Sequence, residues 1–202
     1  MGKKAACLGF CLILTVSVWT LGLLRDRQYL DQELIRLHVV ANSDSESDQA
    51  VKLQVRDAIV ASLTEGMADI GDVQAAKTYL RENLTKIQRI ANDTLEAAGV
   101  DSRAVVTLCK ESFDIRKYDT FTLPAGVYES LRVVIGEGEG HNWWCVTFPS
   151  LCMGATSEEF EEAAQTSGMD NTLSETLAGE YELRFYLLDL LGRVENLCFR
   201  EK

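Results

Sequence analysis

The stretch SLRVVIGEGEGHNWWCVTF, Ser130–Phe148, places two segments rich in β-branched and aromatic residues on either side of a glycine-rich connection. Within each segment every second residue is apolar, so these side chains would share one face of a sheet. Two such strands joined by a glycine-rich loop predict a β-hairpin with one buried face. The predicted buried rows are Leu131, Val133 and Ile135 in the first strand and Trp144, Val146 and Phe148 in the second.

The segments that precede this stretch predict a strand followed by helices. Residues 33–43, ELIRLHVVANS, are rich in aliphatic residues and end in turn formers, which predicts a strand. Ile35, Leu37 and Val39 would form its core face because alternate residues share a face. Residues 47–64 then carry apolar side chains at helical spacing, which predicts an amphipathic helix.

The middle of the chain adds one long helix and further strands. The helix would begin at Asp72 and end at Gly99, since glycine is a frequent helix stop. Residues 104–113 and 114–123 predict strands, or one bent strand, and residues 124–126 predict a turn.

The last fifty residues predict a mobile segment and a closing helix. Residues 154–180 contain seven acidic residues and no Lys or Arg, which is typical of a mobile segment, with one short helix at about residues 158–165. Helices packed on a mostly antiparallel sheet make an α+β fold. The closing helix would bury one apolar face, formed by Tyr181, Phe185, Leu188, Leu191, Val194 and Leu197.

The N-terminus differs from the rest of the chain. Residues 5–24 contain no charged side chain and follow Lys3 and Lys4. Twenty apolar residues can span a bilayer as a helix. The segment 1–24 is therefore interpreted as a signal peptide or a retained N-terminal anchor, and the residues 25–202 as a single exported domain.

Charge and cysteine usage narrow the classes of function. The chain of 202 residues has a formal net charge of −11, which argues against a nucleic-acid partner because phosphate binding requires clustered Lys and Arg. Of six cysteines, two lie in the apolar segment, and the other four allow three disulfide connectivities outside the cytoplasm. Cys145 and Cys152 form the best candidate pair, because Pro149 and Ser150 between them can turn the chain back.

The same stretch also suggests an active site or a metal site. His141 lies four residues from Cys145, and this pair suggests the base and the nucleophilic thiol of a secreted cysteine hydrolase of the cell wall. In a hairpin, however, Cys145 would lie inside a strand and not at a helix N-terminus, and no residue that orients the imidazole is evident. His38, His141, Cys145 and Cys152 lack the close spacing of structural zinc ligands. The sequence therefore predicts no catalytic residue, no metal and no cofactor.

Two blocks of sequence resemble a known family. IRLHVVANSDSESDQAVKLQVRDAIV, Ile35–Val60, and PAGVYESLRVVIGEGEGHNWWCVTFPSLC, Pro124–Cys152, strongly resemble stage II sporulation protein R of endospore-forming bacteria. The resemblance implies a signalling protein and not an enzyme. Such a protein is made in the forespore and exported into the space between the two membranes that separate it from the mother cell.

The resemblance also implies a partner. Family members trigger a membrane-embedded aspartic protease, which cleaves the precursor of sigma-E. On this basis, the predicted contact surface with the protease is the tip of the hairpin together with its non-core face. A disulfide between Cys145 and Cys152 would hold this surface rigid. Only the N-terminal segment would contact the membrane. A purely structural role for these residues is the alternative. The candidate contact residues are Arg132, Glu137, Glu139, His141, Asn142 and Trp143.

Overall fold

The computed structural model describes residues 2–118, 120–149, 166, 168–179 and 182–200. It contains five helices and six strands in the described residues. The helices are α1 (Gly2–Glu33), α2 (Glu46–Gly66), α3 (Val73–Ala97), α4 (Asn171–Ala178) and α5 (Glu182–Arg200). The strands are β1 (Ile35–Val40), β2 (Ala104–Phe113), β3 (Arg116–Lys117), β4 (Thr122–Leu123), β5 (Gly126–Ile135) and β6 (Asn142–Phe148).

Four of the strands form one mixed sheet in the order β2-β5-β1-β6. Strand β5 is antiparallel to β2 and parallel to β1. Strand β1 is antiparallel to β6. The short strands β3 and β4 form a separate antiparallel pair. Helices cover this sheet, so the predicted α+β fold with a mostly antiparallel sheet is confirmed.

The predicted hairpin is wrong in its pairing. Strands β5 and β6 are not neighbours, because β1 lies between them: Leu37 of β1 pairs with Leu131 on one side and with Cys145 on the other. Alternation in a sequence indicates which residues share a face, but it does not indicate which strand lies next to which.

The glycine-rich loop between β5 and β6 therefore has to cross the end of β1. Its backbone is hydrogen-bonded to the residues that follow β1: the Gly140 N–H donates to the Ala41 carbonyl oxygen at 3.0 Å and the Glu139 N–H to that of Asn42 at 3.2 Å. A Cβ on Gly140 would lie 2.2 Å from the Ser43 carbonyl oxygen. Glycine is needed at this position because the two backbones approach too closely for any side chain.

One face of the sheet is covered by α2 and α3. Both helices begin within one residue of the predicted starts, with the Ser45 side chain accepting from the Asp48 N–H and the Asp72 side chain from the Ala75 N–H. The core face predicted for β1 is confirmed. Its residues Ile35, Leu37 and Val39 are fully buried against the two helices, with their neighbours Leu131, Val133, Ile135, Val55, Ile59, Leu80 and Ile87.

The opposite face is covered at one end by the last third of α1 and by α4 and α5. Arg36 is fully buried there. Its guanidinium carbon lies 3.9 Å from the centroid of the Phe113 ring, and its Nη2 donates to the Tyr118 hydroxyl at 2.9 Å. Aromatic faces stabilise a cation away from water. The apolar side chains of this second core include Leu23, Leu30, Leu34, Leu173, Leu177 and Leu188.

Helix α1 joins the apolar segment to the domain without a break. Among the described residues it is the one helix long and apolar enough to cross a membrane, and a signal sequence shares those features. The boundary predicted at residue 24 falls inside α1. Beyond it the helix belongs to the domain: the Arg27 guanidinium donates to the Ala125 carbonyl oxygen at 2.8 Å and to the Glu195 carboxylate at 2.7 Å.

Two details near the C-terminus differ from the sequence-based expectations. Within the segment 154–180, predicted to be mobile, residues Asn171–Ala178 form α4, because Asp170 caps it and Leu173 and Leu177 are buried on one side. The short helix expected at residues 158–165 lies outside the described residues. Helix α5 exists, but its predicted apolar face is only partly right: Leu188 is buried and Phe185 packs on the second core, whereas Leu191, Val194 and Leu197 are exposed.

Replacing Gly140 by Ala should cost about 2 kcal/mol of unfolding free energy, because the new methyl group would collide with the backbone beyond β1. Urea unfolding of the full chain in detergent measures this difference. Gly71→Ala is the matched control, since a Cβ there meets nothing within 4 Å, and should change stability by less than about 0.5 kcal/mol. Equal unfolding midpoints for the two variants would contradict this account of the crossing.

Candidate functional site

A polar cluster occupies the part of the second sheet face that α1, α4 and α5 leave uncovered. Its centre is His38, whose Nδ1 lies 3.1 Å from a Glu111 carboxylate oxygen and whose Nε2 lies 3.0 Å from the Asn142 Oδ1. The imidazole stacks on Trp144 with 5.5 Å between ring centroids. The Arg116 guanidinium lies 3.6 Å from the Trp144 ring centroid on a partly exposed surface. A histidine, a carboxylate, an amide and a sandwiched indole therefore meet here.

The sheet register brings these side chains together. His38 on the central strand pairs with Arg132 of β5 on one side and with Trp144 of β6 on the other. Glu111, on the next strand out, reaches diagonally across β5 to His38 and lies 3.5 Å from the Arg132 Nε. Four different strands thus contribute to one surface. On each strand, the contributing side chain points to the sheet face opposite α2 and α3.

The charge of Glu111 is stabilised within this cluster. Burial raises the pKa of its carboxyl, but the hydrogen bond and charge of His38, together with the charge of Arg132, outweigh burial and hold the pKa below the ordinary value. Glu111 is therefore ionised at neutral pH and orients the imidazole that it contacts.

The six predicted contact residues do not form one patch. Arg132 and Asn142 join the cluster around His38. Glu137, Glu139 and His141 lie on the loop that crosses the end of β1, and all three are exposed.

Trp143, the sixth predicted residue, lies on the opposite face of the sheet. It packs against the core that α2 and α3 form, and the Arg56 guanidinium lies 4.1 Å from its ring centroid. Its indole Nε1 is buried and has no hydrogen-bond partner among the described residues. These surroundings are those of a packing residue, because the ring is covered by this protein's own side chains.

His141 fixes the crossing loop to the start of α2. Both its backbone N–H and its Nδ1 contact the Asp44 carboxylate, with the N–H donating at 2.6 Å. The Lys52 ammonium donates to the His141 carbonyl oxygen at 3.0 Å. The imidazole nevertheless remains 78% exposed, so it is held in place and accessible to a partner.

The cysteines do not form a site with His141. Cys145 is 2% exposed, packs in the core under α2 and α3, and is not a free thiol. Cys152 lies outside the described residues, so the disulfide between the two stays a prediction. Burial, and then the charge of Glu111, raise the pKa of the free Cys109 thiol, which disfavours a reactive thiolate there. Within the described residues no three His, Cys, Asp or Glu side chains gather as metal ligands.

Four members of the cluster were not predicted as site residues: His38, Glu111, Trp144 and Arg116. A signal for His38 was present, since the alternation in β1 places it with Arg36 on the face opposite the aliphatic core. No comparable signal exists for Glu111 or Arg116, because their contacts depend on the order of strands in the sheet.

The fold and the cluster define an α+β protein with an N-terminal apolar helix and a partly exposed polar sheet face. Comparison with known proteins gives its family. The family model of stage II sporulation protein R matches residues 31–158. Stage II sporulation protein R of Bacillus subtilis (strain 168) is 34% identical over 155 residues, which span 74% of this chain and 69% of that protein. No solved structure matches the chain.

The chain therefore belongs to the stage II sporulation protein R family and has a role in sporulation. The family carries the name of a sporulation protein and not that of an enzyme. The resemblance seen in the sequence is confirmed, and both blocks that carried it begin inside the matched residues.

Changing Glu111 to Gln should alter how stability depends on pH. A lowered pKa in the folded state adds stability above the unfolded value of about 4.3, and this contribution is lost as the pH falls through the folded value. The difference in unfolding free energy between wild type and Glu111→Gln should therefore shrink below about pH 4.3. Urea unfolding at pH 3–7 tests this; a difference independent of pH would contradict it.

Proposed function

We propose that this protein is an exported sporulation signal. It would leave the forespore for the space between the two membranes and activate a membrane-embedded aspartic protease that processes the sigma-E precursor. The observation that carries the proposal is family membership, together with an N-terminal apolar helix suited to export or anchoring. If α1 is retained, its last third holds the domain directly beside the membrane, because that part is built into the core.

Activation requires the protein to bind one state of the protease more tightly than another, since a partner with equal affinity shifts no equilibrium. Two neighbouring surfaces are suited to this: the crossing loop with Glu137, Glu139 and His141, and the polar cluster with Arg132 and Asn142. Both are held by contacts within the protein: hydrogen bonds tie the loop to Asn42 and Asp44, and Asn142 contacts His38. A preformed surface reduces the ordering cost of binding.

Signalling can be tested by co-expressing this chain, the protease and the sigma-E precursor in a host that does not sporulate. Cleavage of the precursor should require both the chain and the protease. Absence of cleavage with all three partners folded and correctly located would contradict the proposed function.

The same assay separates contact residues from packing residues. His141→Ala should reduce cleavage several-fold with little change in melting temperature, because the imidazole is largely exposed. Trp143→Ala should instead lower the unfolding free energy by about 3 kcal/mol, since the ring packs on the core. Lys86→Ala, at an exposed site on α3, is the control. Full activity of His141→Ala would exclude the loop from the contact.

A cysteine hydrolase of the cell wall is the alternative from another class. Its nucleophile would be Cys145, which is buried in the core. Cys145→Ala removes the sulfur and introduces no buried hydroxyl, so precursor cleavage per folded molecule should be retained. Loss of all cleavage by a folded Cys145→Ala protein, while a Cys152→Ala protein that also lacks the predicted disulfide stays fully active, would instead favour thiol chemistry.

A further inference from the structure

Helix α5 carries apolar side chains on two opposite faces. The inner face packs on the domain through Leu188, Asp189 and Asn196, which are buried. The outer face exposes five large apolar side chains, each 46–67% exposed, which we call the outer stripe: Leu183, Tyr186, Leu190, Val194 and Leu197. Large contiguous apolar patches on a protein surface usually mark an interaction site.

The helix cannot turn to bury the outer stripe. A Cβ on Gly192 would lie 1.7 Å from the Ala125 carbonyl oxygen, so the backbone of α5 rests directly on the start of β5. The Asn196 amide donates to the Phe113 carbonyl oxygen at 2.8 Å, and the Arg184 Nε donates to the Asp26 carboxylate at 2.8 Å. Contacts at both ends and in the middle fix the rotation of the helix.

The five residues of the outer stripe are spaced symmetrically along the helix. With about 100° of rotation per residue, they fall within an arc of about 80°, the width of a coiled-coil seam. Their spacings are three, four, four and three residues, so the pattern is the same in both directions from Leu190. Leu191, which is 37% exposed, borders the stripe on one side and Arg193 borders it on the other.

A symmetric pattern is what an antiparallel pair of identical helices requires. If a second α5 runs in the opposite direction, Leu183 faces Leu197, Tyr186 faces Val194, and the two Leu190 side chains meet on the twofold axis. Each apolar residue of one copy then finds an apolar residue of the other, as in an isologous interface. The contact from Leu183 to Leu197 would be about 21 Å long, since each residue adds about 1.5 Å.

We propose that the outer stripe of α5 is a self-association surface, which pairs with α5 of a second copy of this chain in the antiparallel direction about Leu190. The inference rests on the geometry of α5 alone and does not depend on the proposed activation of a protease. A single helix pair lies at the small end of specific interfaces, so the dimer is reversible.

Cross-linking tests the register. Cys7, Cys11, Cys109 and Cys198 are changed to Ser in the full chain, which is kept in detergent so that the two α1 helices can point in any direction. Leu190→Cys in this background should oxidise to a covalent dimer of twice the 22.5 kDa monomer. Lys86→Cys, exposed on α3, is the matched control and should form the dimer at least about tenfold more slowly. Equal rates would overturn the proposal.

Sedimentation of the wild-type chain tests the dimer without a cross-link. Leu190→Glu should sediment as a monomer with unchanged melting, whereas Val105→Glu, at a residue 56% exposed on β2, should remain dimeric. The proposal is overturned if the wild type is a monomer, or if Leu190→Glu is still a dimer, which would place the contact in α1. It is also overturned if a fluorophore attached to Leu190→Cys is quenched by lipid-borne quenchers in liposomes, which would make the outer stripe a lipid-facing surface.

Discussion

The position of β1 at the centre of the sheet is the constraint on which the rest of the structure depends. Its aliphatic side chains fill the core under α2 and α3, while its other face buries Arg36 between aromatic rings. Because β1 separates β5 from β6, the loop that joins those two strands must pass over the end of β1. The close approach of Gly140 to Ser43 follows directly from this crossing.

The same arrangement produces the polar cluster. His38 and Asn142 are separated by 104 positions in the chain, yet adjacent strands bring them into contact. The adjacent tryptophans take different roles because successive residues of a strand point to opposite faces. Trp143 packs in the core with α2 and α3, while Trp144 is stacked between His38 and Arg116 on the partly exposed face. The stretch that resembles an active site is thus a loop that crosses the end of β1, is held there by hydrogen bonds, and leads into the strand that carries Trp144.

The proposed signalling role agrees with the geometry of the molecule. A signal that acts through binding would need a rigid surface, and the crossing loop is held by Asn42, Asp44 and Lys52. The proposed role would also need access to a membrane partner, and α1 links an apolar segment continuously to the domain core. The outer stripe of α5 adds a second exposed surface on the helix that contacts α1 through Arg184 and Asp26.

The amino-acid sequence by itself determined the local features: the starts of α2 and α3 to within one residue, the core face of β1, the apolar N-terminal segment and the two blocks typical of the family. These features depend on periodicity and capping between residues close in the chain. Only the tertiary structure decided that β1 separates β5 from β6, that His38 meets Glu111, and that α5 turns Leu190 outward. Strand order and helix rotation depend on the total packing between distant segments, which no local pattern contains.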